Sequence, residues 1–160
     1  MNTKSTLKTM LLAGLVMLVV AGFYLVFSGQ QAEAKSKDWV GSWKVEITVI
    51  AQNATFPGML TFFSDGNVLA DESPSPLETS GHGSWIRTAK NSGAYTFVVL
   101  VGNADPSQWL QYTVSGQVNY DPQTDTWSGP FTIHIVDQDG TVILDDTGTM
   151  DNSTRISAEP

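Results

Sequence analysis

Val40-Gly41-Ser42-Trp43-Lys44-Val45-Glu46-Ile47-Thr48-Val49-Ile50 alternates apolar and polar side chains over most of its length. Trp43, Val45, Ile47 and Val49 fall on one face, and Ser42, Lys44, Glu46 and Thr48 on the other. This is the period of two that a half-buried strand requires. The pattern returns in Tyr95, Phe97, Val99 and Val101, again in Leu110, Tyr112, Val114, Gly116, Val118 and Tyr120, and a third time in Phe131, Ile133 and Ile135. Asp65-Gly66 and Asp139-Gly140 carry the hairpin signal. Asn53 to Gly58 reads as a turn, because Pro57 denies a ladder its donor, and Gly129-Pro130 reads as an interruption. Asp71 to Ser80 forms the longest irregular link, and Asn152 to Ile156 is a short last strand or the continuation of the one before it. No helical period is found in this part of the chain. The expectation is an all-β, antiparallel meander of eight to nine strands, closed into a barrel so that no edge is left exposed.

Upstream the chain changes character. Lys4 and Lys8 precede the apolar run Met10 to Phe27, 18 residues long, and Ala32-Glu33-Ala34 supplies a small-x-small cleavage site. Residues 1–34 are expected to be an N-terminal apolar helix. It acts as a signal peptide if cut after Ala34, or as a membrane anchor through residues 10–27 if left uncut. Residues 35–38 then form a short polar linker, 39–157 the barrel and 158–160 a tail. Either fate of the leader sends the barrel across a membrane, to a periplasmic or extracellular location.

From residue 35 onward six basic side chains (Lys35, Lys37, Lys44, Arg87, Lys90, Arg155) stand against 15 acidic ones, a formal charge of −9. Such a surface repels phosphate backbones, so nucleic acid is not an expected partner. With 0 cysteines there is no thiol nucleophile and no disulfide, and the domain must hold together by packing. No cofactor and no metal is expected. Asp137-Gln138-Asp139-Gly140, with Asp145 and Asp146 beyond, has the start of a calcium loop but neither its run of oxygen donors nor its terminal Glu. The only two histidines, His82 and His134, sit on strands whose parity does not bring them together. Glu46 is expected in solvent, and the alternation places no pair of carboxylates on the inner wall, which argues against two-acid hydrolysis.

Gly41-Ser42-Trp43 at the head of the first strand resembles the Gly-x-Trp signature of the lipocalins and the wider calycin group. The resemblance implies that Trp43 closes one end of the barrel and that Arg155, near the chain end, lies across it as a cation-π partner. It also implies a calycin-like barrel that binds a small molecule. The family's second and third loop motifs, its helix after the barrel and its cysteines have no counterpart here.

What remains is the aromatic set. Its inward members either fill a core or line a cavity for an apolar or planar guest. The expected function is reversible binding of a small hydrophobic or aromatic molecule by Trp85, Tyr95, Phe97 and Tyr112, with Trp43 and Arg155 as barrel closure. Two alternatives stand beside it. One is a cyclase or isomerase that works by positioning its substrate, with no catalytic residue assignable. The other is a structural or interaction domain with a filled core, presenting Val98, Leu100 and Val136 to a partner.

Overall fold

A computed structural model describes residues 38–72, 78–102, 105 and 107–157. The apolar helix expected in residues 1–34 lies outside these, as do residues 35–37 and the tail 158–160. Among the described residues no helix is long and apolar enough to cross a membrane.

Eight strands follow one another: β1 (Gly41–Val49), β2 (Ala54–Phe62), β3 (Asn67–Glu72), β4 (Gly81–Ala89), β5 (Ser92–Gly102), β6 (Trp109–Asp121), β7 (Thr126–Asp137) and β8 (Val142–Arg155). Each pairs antiparallel with the next and β8 pairs with β1, so the meander closes into a barrel. The strand count settles at eight because Asn152 to Arg155 continues β8. The chain bends there through Asn152, at a φ of 49°, where the β1–β8 register shifts between Lys44 and Glu46, as a bulge allows.

Both prolines expected to break strands lie within them. Pro57 pairs with Glu46 of β1, and the β2–β3 ladder begins only at Gly58. Pro57 therefore sits at a local edge, where a missing donor is tolerated. Pro130 lies between the paired positions Gly116↔Phe131 and Asn119↔Ser128, in a lapse of the β6–β7 ladder.

The alternation read in β1, β5 and β6 sets the interior. Val45, Ile47, Val49, Tyr95, Phe97, Val99, Val114, Val118 and Phe131 are buried in one core, while Trp109 is exposed. On β4 the inward positions include Gly81 and Gly83. A Cβ on Gly81 would lie 2.7 Å from the Phe97 ring, and one on Gly83 1.9 Å from the Thr96 carbonyl oxygen. This strand thus yields its interior space to the aromatic side chains of β5.

Candidate functional site

In an up-and-down meander the starts of the odd strands and the ends of the even strands gather at one end of the barrel. Here that end is plugged. Trp43 is fully buried and donates its indole N–H to the Trp39 carbonyl at 2.7 Å. The Arg155 guanidinium lies 4.1 Å over the Trp43 ring, and Arg87 lies 4.0 Å over Trp39. Arg155 donates from Nε to Asp125 Oδ2 at 2.9 Å and from Nη2 to Asp125 Oδ1 at 2.8 Å, and also caps the Val40 carbonyl at 2.9 Å. Its hydrogen bonds to Asp125 raise its pKa. Gly41 makes this approach possible: its φ is 132°, and a Cβ there would stand 2.8 Å from Arg155 Nη1. Trp39 meets Trp85 edge-on at 5.6 Å, and Phe62 meets Trp127 at 5.7 Å and Tyr95 at 5.9 Å. The plug is aromatic throughout, with two arginines laid over it.

The opposite end is open. Two adjoining lobes enter the barrel there, of about 130 Å³ and about 230 Å³, and both are lined by Ile47, Glu72, Glu78, Phe97, Val99 and Met150. The larger lobe adds Phe56, Tyr112, Val114, Phe131 and Ile133. Each is smaller than the ~300–1,000 Å³ of common drug-sized pockets, so a guest must be small. The deeper walls are apolar and aromatic, while the rim carries the carboxyl groups of Glu72, Glu78 and, at the smaller lobe, Asp71.

The four residues expected to bind a ligand separate in space. Phe97 and Tyr112 line the cavity. Trp85 lies toward the plugged end, its indole N–H donated to the Phe63 carbonyl at 2.8 Å. Tyr95 lies beneath the cavity, stacked on Phe97 at 5.9 Å, with its hydroxyl donated to Met150 Sδ at 3.3 Å, so it supports the cavity floor without lining it. Burial pushes the Tyr95 phenol well above its ordinary range.

Trp39, Glu72 and Glu78 went unread in the sequence. Trp39 precedes the alternating stretch and so carries no strand signal, although it stands four residues before Trp43. Glu72 shares the inward parity of Val68 and Ala70 on β3, a signal masked by the proline-rich stretch that follows. Glu78 is held by an isolated bridge to Val101 of β5. A pair of carboxyl groups therefore stands at the rim of the cavity, a place the alternation does not reveal. Desolvation, the Glu78 charge and a hydrogen bond that protonated Glu72 donates to Glu78 push Glu72 up to about 7. Its side chain keeps solvent contact at the rim, which screens part of that effect. Burial, then the charges of Glu78 and Glu72, raises the Tyr112 phenol, so this group shares the field of the acidic pair. At the β7–β8 hairpin Asp137 Oδ1 accepts the Asp139 and Thr141 amides at 2.9 and 2.8 Å, which accounts for the calcium-like stretch as a turn. His82 is exposed on β4, and His134 pairs with Asp145 at 2.7 Å on the outer face.

Fold and site together define an eight-stranded antiparallel closed barrel, plugged at one end and hollow at the other, compatible in outline with a calycin-like fold. No protein-family model, no curated protein and no solved structure matches the chain.

Proposed function

We propose that the protein is an exported, lipocalin-like barrel that takes up one small, largely apolar molecule at its open end. The observation that carries this reading is the pair of adjoining lobes walled by Ile47, Phe97, Val99 and Met150, with Tyr112, Phe131 and Ile133 in the larger one. Burial of apolar guest surface supplies the attraction, and the rim carboxyls and the Tyr112 hydroxyl supply orientation. Export rests on the basic, apolar and small-x-small succession of residues 1–34. The lipocalin likeness rests on Gly41 and Trp43 with Arg155 lying across the tryptophan.

A second reading, a cyclase or isomerase, draws on Glu72. A carboxyl held near neutral pH beside an aromatic cavity has the pKa of a general acid. Binding comes first in either case. The uncharged fluorescent dye N-phenylnaphthylamine, titrated into the full chain, is expected to brighten saturably at one site per chain. Val99→Trp, or Ile133→Trp should the first not fold, is expected to abolish that signal by filling the cavity. Unsaturable brightening, equal in wild type and in a folded plugged variant, would contradict the reading.

A further inference from the structure

The charge of this molecule is unevenly placed around its cavity. Of the four described lysines and arginines, Arg87, Lys90 and Arg155 belong to the plugged end and Lys44 to the outer face of β1, and none lines either lobe. Glu72 and Glu78 line both lobes, and Asp71 joins them at the smaller one. Asp71 is already engaged by the Ser80 hydroxyl at 2.6 Å. Neither glutamate forms an ion pair among the described residues.

Asp146 of β8, 8% exposed and opposite Ile133 of the larger lobe, lines neither lobe but adds a further acidic group toward the open end. Its Oδ1 accepts the amides of Ala51 and Thr147 at 3.2 and 2.7 Å, while Oδ2 is buried without a partner among the described residues. A carboxylate oxygen left in that state is costly unless positive charge comes near.

Two carboxyls held side by side repel one another unless a proton or a cation lies between them. Divalent metal is a poor candidate for that cation, since no group of three or more acidic or imidazole ligands is assembled among the described residues. An organic ammonium needs no such cage. Its charge pairs with carboxylates, and its flanking methylenes favour the faces of aromatic rings, which Phe97, Tyr112 and Phe131 supply. A fatty acid, by contrast, would bring a third negative charge to an acidic rim.

We infer that the guest is cationic: a small ammonium compound whose apolar body lies against Phe97, Tyr112 and Phe131 and whose head sits beside Glu72 and Glu78. This rests on the binding role proposed above and names the ligand class for that site.

The test compares octylammonium, octanol and octanoate, which share one chain and differ in head-group charge. Each is used to displace N-phenylnaphthylamine from the full-length protein at low ionic strength and mildly alkaline pH. Octylammonium is expected to displace the dye at least about tenfold more tightly than octanol, with octanoate weakest. In Glu72→Gln/Glu78→Gln, the advantage of octylammonium over octanol is expected to shrink at least about tenfold. Glu78→Gln alone serves should the double variant melt early. The net charge of the protein stays negative in both forms, so a preference that survives the substitution undiminished would overturn the inference, as would octanol or octanoate binding as tightly as the ammonium in wild type. Those results leave the binding role intact. Failure of the dye to bind saturably, or of all three compounds to displace it, would overturn both.

Discussion

Arg155 ties several parts of the plugged end together. It pairs with Asp125 through two hydrogen bonds, caps Val40, and lies 4.1 Å over Trp43. Replacing it removes all of these at once and leaves the Asp125 carboxylate without its cation. Arg155→Ala is expected to destabilise by about 2–4 kcal/mol in urea unfolding. Arg155→Lys should recover only a minor share, because an ammonium cannot reproduce the two-pronged pairing. Equal stability of Arg155→Lys and wild type would show that the guanidinium geometry is unimportant. At the other end, burial and the neighbouring Glu78 push the Glu72 carboxyl up to about 7 in the folded protein, from an ordinary 4.5. Between those values the folded state holds more protons than the unfolded one. The resulting stabilisation is complete below pH ~4.5 and is lost as pH rises through ~7. Screened by water at the rim, the loss is on the order of 1 kcal/mol. Glu78→Gln removes a neighbouring negative charge, so it is expected to flatten the decline in urea midpoint between pH 5 and pH 8; an unchanged slope would contradict the pairing. Trp43 and Arg155 could be read only through the lipocalin resemblance, which implies a tryptophan at the head of the first strand and an arginine near the last. Glu78 could not, since its position depends on a bridge to Val101, 23 residues away.

At the level of strands, period-two alternation was decisive where it was long. β1, β5 and β6 were legible almost to the residue because each carries at least four inward apolar positions. The proline-bearing stretches were misread, since a proline is excluded only from places where its amide would be needed. Whether it is needed depends on how far the neighbouring ladder extends, which the local sequence does not contain. β4 illustrates a different limit. Its interior glycines read as weak strand residues, yet they clear the way for Phe97 and the Thr96 backbone. Gly83→Ala is expected to cost about 3 kcal/mol or more, because the atom met at 1.9 Å is a backbone oxygen that cannot swing aside. Gly140→Ala gives a contrasting control: nothing lies within 4 Å of its Cβ, and the penalty is confined to its φ of 80°, about 1 kcal/mol. Thermal melts of both variants check the difference, and a Gly83→Ala protein as stable as Gly140→Ala would place β4 wrongly against β5.

For the molecule as a whole, the sequence indicated a closed meander lined with aromatic rings but could not divide those rings between plug and cavity. Inward parity says that a ring enters the barrel, not at which height. Height follows from strand stagger, and it is stagger that sends Trp43, Trp85 and Trp127 toward the plugged end and leaves Phe97, Tyr112 and Phe131 around the hollow one. The described arginines stand at the plug, paired with Asp38 and Asp125, while Glu72 and Glu78 stand at the mouth. Packing at one end thus supplies stability without disulfides, and the two lobes lie at the other. Native mass spectrometry of the full-length chain, recovered gently from the cells that make it, tests this division most directly. One small molecule per chain, lost when Val99→Trp or Ile133→Trp fills the cavity of a folded protein, is the expected spectrum. A bare chain in every preparation, still bare after incubation with N-phenylnaphthylamine, would show that the open end holds nothing.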